Sequence, residues 1–421
     1  MPNTLPDWLS YLESLHPKTI ALGLDRVAQV KQRLALQPDF PVIVVGGTNG
    51  KGSVCAMLES ILHAAGYKVG CYTSPHLLHY NERVRIAKKQ ASDAELCASF
   101  ESIEQARGET ALTYFEFGTL AAMSLFISHK VDVAILEVGL GGRLDAVNAF
   151  DADCAVVTSV DIDHVDYLGD TREQIAFEKA GIFRKDRVAI CADPDVPQAI
   201  RDHAREVGAE LWCIGSEFGF KSHQGQWDFF GKSGSRTSLP IPALRGAFQL
   251  HNASAVLAAV DALKERLPVN MEAVRRGLVE VQLAGRFQFV PGRPQLILDV
   301  AHNPHAARSL AQNLGSLPPA KTYAVFAMLK DKDMAGVVRA LEPHIDIWLV
   351  AGLDMPRGAS AAELTQVLKD CGVHGAIRTL ETVAEALRLA CNEAGENDRI
   401  AAFGSFHTVA EAMQARELSV N

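Results

Sequence analysis

The segment Gly46-Gly47-Thr48-Asn49-Gly50-Lys51-Gly52-Ser53 constrains this chain more than any other. It follows the apolar run Pro41–Val45, which predicts a buried parallel strand. It leads into Ser53–Ala65, where Val54, Met57, Leu58, Ile61 and Leu62 recur at helical spacing. Glycines between a strand and a helix let the backbone curl until successive N–H groups point at a phosphate, and the helix N-terminus adds its positive dipole. Lys51 supplies a mobile point charge for the outer phosphates. A strict P-loop places Ser or Thr directly after the lysine. Here Gly52 intervenes and Ser53 comes one place later, so the loop is a variant. Phosphate binding by Gly47 through Ser53 is the expectation, and a glycine turn carrying a solvent lysine is the poorer competitor.

The pattern of strand and helix continues. Strands are predicted at Lys68–Tyr72, Val131–Leu136 and Ala155–Ser159, with a helix at Glu116–Ser128, which implies a parallel sheet covered on both faces. From Trp212 to Ile241 the mixture of Gly, Ser, Lys and aromatic residues suits short antiparallel strands and loops. Helices return at Asn252–Arg266 and Met271–Val281. Ala284–Gln295, with Pro291, Gly292, Arg293 and Pro294, is the expected interdomain linker. A second series follows, with strands at Gln295–Val300, Thr322–Ala327, Ile345–Val350 and Arg399–Phe403. Its helices are His305–Leu314, Met334–Leu341, Ala361–Cys371, Val383–Ala394 and one after Gly404-Ser405-Phe406-His407. At 421 residues the chain is too long for one ordinary core. The expected architecture is α/β in two domains: residues 1–287 around a P-loop-type, mostly parallel sheet, and residues 288–421 as a smaller, Rossmann-like doubly wound domain.

Composition excludes several classes. The 48% hydrophobic and 22% charged fractions are those of an ordinary globular protein. No apolar run is long enough to cross a bilayer, and Met1–Leu15 carries Asp7 and Glu13 rather than a basic leader, which points to a cytoplasmic protein without a membrane partner. A net charge of −9 argues against nucleic acid as a partner. The eight cysteines show no C-x-x-C pair and read as reduced core thiols.

Three further segments carry chemistry. Glu137 ends an apolar strand, where ligands bind in such sheets, and near a triphosphate it would suit magnesium; capping a loop is its other reading. Asp161, Asp163, His164 and Asp166 follow the next strand and suggest a cation site, although some of these aspartates read as helix caps or structural acceptors. Thr73-Ser74-Pro75-His76 offers a hydroxyl to a magnesium shell, or is simply a turn.

Taken together these motifs resemble the folylpolyglutamate synthase/dihydrofolate synthase family, relatives of the Mur ligases. The matching segments are Gly47 to Ser53, Ser74-Pro75-His76, Leu112 to Glu116, Glu137 to Asn148, Asp163 to Gly169 and Glu178 to Ile182. Gly285-Arg286-Phe287-Gln288, Asp299 to Pro304 and Gly404 to His407 complete the set. Val147 departs from it, since threonine is common there.

The resemblance implies an ATP-dependent ligase that adds L-glutamate to dihydropteroate and to reduced folates through an acyl phosphate, in folate biosynthesis and one-carbon metabolism. It implies ATP and two magnesium ions, one held by Ser74 and Glu137 and one by His164, a carbamate on Lys179, and optionally a monovalent cation. Carbamylation would turn a repelling cation into a carboxylate-like ligand; an exposed helical lysine is the alternative. Asn252, Arg286 and Asp299 would grip the nucleotide between the domains. The pterin acid would meet Thr113, Tyr114, Phe115, Glu116, Leu144, Asp145 and Ala146, with Ile20, Ala21, Leu22 and Gly23 closing over it. His302 and Ser405 would serve glutamate, Lys51, Glu137, His164 and Lys179 would be the catalytic set, and the family favours a monomer. The rival readings are a Mur-type ligase of cell-wall precursors and a nucleotide-dependent switch. The first normally carries a further N-terminal domain, for which the roughly forty residues before the first strand are too few.

Overall fold

The computed structural model describes residues 2–16 and 20–419. The chain forms two compact units, Met1–Ala243 with Leu250–Val281, and Leu244–Gln249 with Gln282–Asn421.

The sheet of the first unit contains β1 (Val42–Gly46), β2 (Val69–Tyr72), β3 (Val84–Ile86), β4 (Lys89–Gln90), β5 (Val133–Glu137), β6 (Cys154–Val157), β7 (Val188–Cys191) and β8 (Glu210–Cys213). Their order is β4-β3-β2-β5-β1-β6-β7-β8. From β2 to β8 every pairing is parallel, and β3 and β4 add an antiparallel edge. Strands β1 and β5 are buried at every position, which is why they read as unbroken apolar runs rather than as alternating ones. Three antiparallel strands, β9 (Gly219–His223), β10 (Gln226–Gly231) and β11 (Gly234–Pro240), form the small sheet expected between Trp212 and Ile241.

The helix after β1 runs Lys51–Ala64, and it is buried on more than the one face expected from its apolar spacing. The helix Met271–Glu280 packs on its far side, where a Cβ on Gly277 would stand 2.5 Å from Ile61 Cα. Only glycine allows that approach. Glu59, on this helix, is buried and paired with Arg85 of β3 at 2.9 Å, so the charge it takes inside is matched.

The second unit is a six-stranded sheet of β12 (Gln288–Val290), β13 (Gln295–Leu298), β14 (Thr322–Phe326), β15 (Ile347–Ala351), β16 (Ala376–Leu380) and β17 (Arg399–Phe403). The order is β12-β13-β17-β14-β15-β16, with only β12 antiparallel. One expectation is corrected here. Ala284–Gln295 is no linker: Phe289 pairs with Ile297 and Val290 with Leu296, so Pro291–Pro294 is the turn of a hairpin inside this unit. The chain instead changes unit after Val281 and also around Leu244–Gln249. That short segment is held by Asn313, whose Oδ1 accepts from Ala247 N at 2.9 Å.

All eight cysteines are free, and five of them are buried. Among the described residues no helix is long and apolar enough to cross a membrane.

Candidate functional site

The glycine loop leaves β1 and is braced against the chain leaving β6, the strand beside it. Thr48 N donates to Ser159 O at 2.8 Å, and Thr48 Oγ1 donates to Asp161 O and accepts from Asp161 N, both at 3.0 Å. Thr158 Oγ1 donates to Asn49 O at 2.6 Å. The loop needs its glycines at two places. Gly47 has φ +142°, and a Cβ there would lie 1.9 Å from Thr158 Oγ1. Gly50 has φ +89° and opens the helix at Lys51, with Asn252 Oδ1 only 2.7 Å from where its Cβ would be. Asn252 is thus set directly against the phosphate loop. Lys51 Nζ folds back to donate to Gly47 O at 3.0 Å and Thr48 O at 3.2 Å, while Ser53 is buried in the first turn after Gly52. The result is a preformed anion cradle with a movable cation over its rim. Thr158 and Ser159, which brace the loop, were not singled out from the sequence; two hydroxyls directly after an apolar strand were the available signal.

Glu137 ends β5 opposite Val45 of β1 and is buried. Ser74 N donates to its Oε2 at 3.1 Å, which brings together the two residues assigned to one magnesium. His164 sits in the left-handed region at φ +54°, a conformation uncommon outside glycine that fixes the turn before Val165–Leu168. Asp161 and Asp163 partly act as local acceptors, taking Ile162 N and His164 N at 2.8 and 2.9 Å.

Lys179 is 3% exposed near the end of the helix Arg172–Ala180, which removes the exposed-lysine alternative. Burial first, and then the positive Lys51, lower its pKa to about 7, with Asp163 partly offsetting both. An amine with a pKa of about 7 is about half neutral near pH 7, and the neutral form can add carbon dioxide. Among the described residues no three His, Cys, Asp or Glu side chains gather as a metal-holding group. Magnesium bound with phosphates and water in its shell needs only a few protein oxygens. Glu137 and Ser74 fit that role.

The residues assigned to the organic acid form one connected set. Gly23 N donates to Leu144 O at 3.3 Å, and Arg26 reaches Ala21 O at 2.6 Å and Glu116 Oε1 at 3.0 Å. Glu116 completes a capping box with Thr113 at the start of the helix Tyr114–Ser128, so its carboxylate is committed to Thr113 N and Arg26. The Phe115 ring covers Gly139 and stands 5.8 Å from the Tyr72 ring. Asp145 is buried and accepts from Gly139, Leu140 and Val147 N–H groups at 2.9–3.0 Å; burial nonetheless pushes its carboxyl up to about 7. It shapes the loop that ends in the buried Ala146. Ile20 and Leu22 are half-buried on the neighbouring segment. Arg143 clamps this loop to Glu178 at 2.8 Å, the residue next to Lys179.

In the second unit, Asp299 follows β13, is half-buried, and accepts from Phe287 N at 2.9 Å and Ala301 N at 2.8 Å. Burial raises its pKa, and Arg286 opposes that rise. Arg286 lies 5.0 Å from the Phe406 ring centre, and His302 stands 6.1 Å from the same ring while its Nδ1 meets Val300 O at 2.9 Å. Ser405 begins the helix Phe406–Ala415, and its hydroxyl caps Thr408 N at 3.0 Å. Arg286, Asp299, His302 and Ser405 thus gather at the C-terminal ends of β13 and β17.

Residues 45–260 match the Mur ligase middle domain, and residues 285–406 match the glutamate ligase domain of Mur ligases. The dihydrofolate synthase/folylpolyglutamate synthase of Escherichia coli (strain K12) is 47% identical over 97% of this chain and 95% of its own length. The structure of E. coli FolC in complex with DHPP and ADP aligns with a TM-score of 0.94 at 46% identity, covering 99% of each chain. A bifunctional folylpolyglutamate synthase/dihydrofolate synthase with Mn, AMPPNP and L-glutamate bound aligns at 0.92 and 47%, covering 99% of this chain and 98% of its own. With the phosphate cradle, the acidic strand end and the buried lysine in one unit and the Asp299–Ser405 cluster in the other, the chain belongs to the dihydrofolate synthase/folylpolyglutamate synthase family of Mur-type ligases.

Proposed function

We infer that this chain is an ATP-dependent ligase that joins L-glutamate to dihydropteroate and to tetrahydrofolate or its glutamates. The observation that carries this reading is the braced loop with Lys51 over its rim, one strand away from the buried Glu137 held by Ser74. Kinship with the bifunctional relatives names the substrates. A cell-wall precursor as substrate is not favoured, because the near full-length relatives are folate enzymes.

A carboxylate is a poor acylating agent, since oxide would have to leave. Transfer of the ATP γ-phosphoryl group to the carboxylate oxygen releases ADP and forms an acyl phosphate. The glutamate amine then attacks the carbonyl carbon, phosphate leaves, and an amide remains. Lys51 and the N–H groups of residues 47–53 would offset charge on the transferring group, and Glu137, Ser74 and His164 would hold magnesium. Magnesium, when bound, supplies the remaining charge neutralisation. Lys179 would be carbamylated: its neutral amine adds carbon dioxide and loses one proton, which leaves a carboxylate-like ligand. No protein nucleophile takes part.

Asn252, Arg286 and Asp299 are assigned to the nucleotide, and His302 and Ser405 to glutamate. The acid is assigned to Ile20–Gly23, Thr113–Glu116 and Leu144–Ala146. Residues 1–287 would supply the ATP and pterin sites and 288–421 the glutamate-ligase part, in a cytoplasmic monomer that also takes a monovalent cation. Offering dihydropteroate and tetrahydrofolate separately with glutamate and ATP, and weighing the products by mass spectrometry, tests the reading. A mass gain of one glutamyl residue in both supports it; ADP release that needs neither acid nor glutamate overturns it.

A further inference from the structure

The chain leaving β6 is held from two sides, and the assigned roles use only one of them. On that side Ser159 O accepts from Thr48 N at 2.8 Å, and Asp161 meets Thr48 Oγ1 with both its N and its O at 3.0 Å. Val160, between these two anchors, turns its own polar groups elsewhere. Its N donates to Asp193 Oδ2 at 2.6 Å, and its O accepts from Arg172 Nε at 3.0 Å. Such alternation is how a β-strand serves two neighbours, here the loop after β1 and the loop after β7.

The sequence explains why side chains do this work. The backbone ladder between β6 and β7 ends where Ala192 N reaches Val157 O at 2.9 Å. Pro194 has no N–H to extend it, and the Asp193 carboxylate takes over. Asp193 is 5% exposed, pairs with Arg172 at 3.1 Å and accepts from Asp195 N at 2.9 Å. Arg172 also donates to Asp195 Oδ2 at 2.6 Å and to Asp195 O at 2.9 Å. A planar guanidinium spread over four acceptors fixes an orientation as well as a distance.

Arg172 is the first residue of the helix that carries Lys179, but it does not anchor that helix alone. Glu173 accepts from Gln198 N at 3.2 Å and Ala199 N at 2.7 Å, at the start of the helix Gln198–Val207. The bond to Val160 is therefore not needed to place the helix. The Asp193 charge also reaches His251, the neighbour of Asn252, where it partly offsets the fall in pKa that burial causes.

We propose that Arg172 and Asp193 are positioning residues for the nucleotide: through Val160 they hold Ser159 and Asp161 in register with Thr48, and so keep the glycine loop in the shape that receives phosphate. The proposal rests on the reading of that loop as the ATP site.

The test measures magnesium ADP binding to the full chain by calorimetry, and then turnover. Arg172→Ala and Asp193→Asn should each weaken ADP about tenfold, since each removes or weakens a charge-assisted bond on Val160. The double variant should be little weaker than either single one. Glu173→Ala loosens the same helix start without touching Val160, and should change ADP affinity by less than about twofold. In turnover, KM for ATP should rise about tenfold while KM for the pterin acid moves by less than about twofold; a purely structural role would lower the active fraction and move neither. Where Arg172→Ala does not fold, Arg172→Gln takes its place. Absence of ADP binding by the unaltered chain would overturn the reading of the loop, and this proposal with it. Unchanged ADP affinity in both variants, or an equal loss in Glu173→Ala, overturns the positioning role alone.

Discussion

Lys179 is a buried residue whose charge opposes folding. Its folded pKa of about 7 lies below its ordinary value of 10.5. Between those values the unfolded chain holds a proton that the native chain has released, so stability rises with pH across that window. Below about pH 7 both states are charged, and the native state bears the full cost of the buried charge. In metal-free, bicarbonate-free buffer, Lys179→Met should therefore raise the thermal midpoint most near pH 6 and by less near pH 9. A gain independent of pH would contradict the assignment. With substrates present, Lys179→Ala should lose activity and partly recover it with added short carboxylic acids; full activity without rescue would remove the carbamate. Gly47 makes the opposite point, since here the backbone itself is the requirement. Gly47→Ala places a methyl 1.9 Å from Thr158 Oγ1 at φ +142° and should cost roughly 2–5 kcal/mol of unfolding free energy, read by urea titration. A loss under about 0.5 kcal/mol would mean that the loop is not held as described.

Elements carry the site by being tied to one another rather than by propensity alone. The acid-side loop is shaped by Asp145 and clamped by Arg143 to Glu178, whose neighbour is Lys179. Since the Arg143 side chain is 42% exposed, the pair should contribute less than about 1 kcal/mol to stability. Its effect should appear in catalysis instead. Arg143→Ala and Glu178→Ala are each expected to raise KM for the pterin acid about tenfold, and the double variant by little more than either. Independent, multiplying effects would show that no clamp exists. This link was not legible in the sequence, because the partners are 35 residues apart and each looks like an ordinary surface charge. Some strands buried on both faces were legible: Arg399–Phe403 falls where its apolar run places it, and β1 is shifted by one residue; β7, almost as buried but only four residues long, was not singled out. Strand β16 was missed because its residues are mostly exposed at a sheet edge and show no apolar run.

At the scale of the whole molecule, the two-unit α/β plan followed from the strand and helix pattern, but the point of division did not. Proline and glycine mark a turn equally well inside a hairpin and between domains, and Pro291–Pro294 turned out to be the former. The excursion of residues 244–249 into the second unit depends on long-range contacts such as Asn313 to Ala247, which no local pattern reveals. The glycine loop between strand and helix was legible because its pattern is local, whereas its bracing by Thr158 and Ser159 arises from the β1–β6 pairing. The central claim is that ATP activates the organic acid by phosphorylating it. The direct measurement uses dihydropteroate labelled with heavy oxygen in its carboxyl group, followed through turnover with glutamate and ATP. One labelled oxygen should pass into each inorganic phosphate released; phosphate free of label would contradict the account.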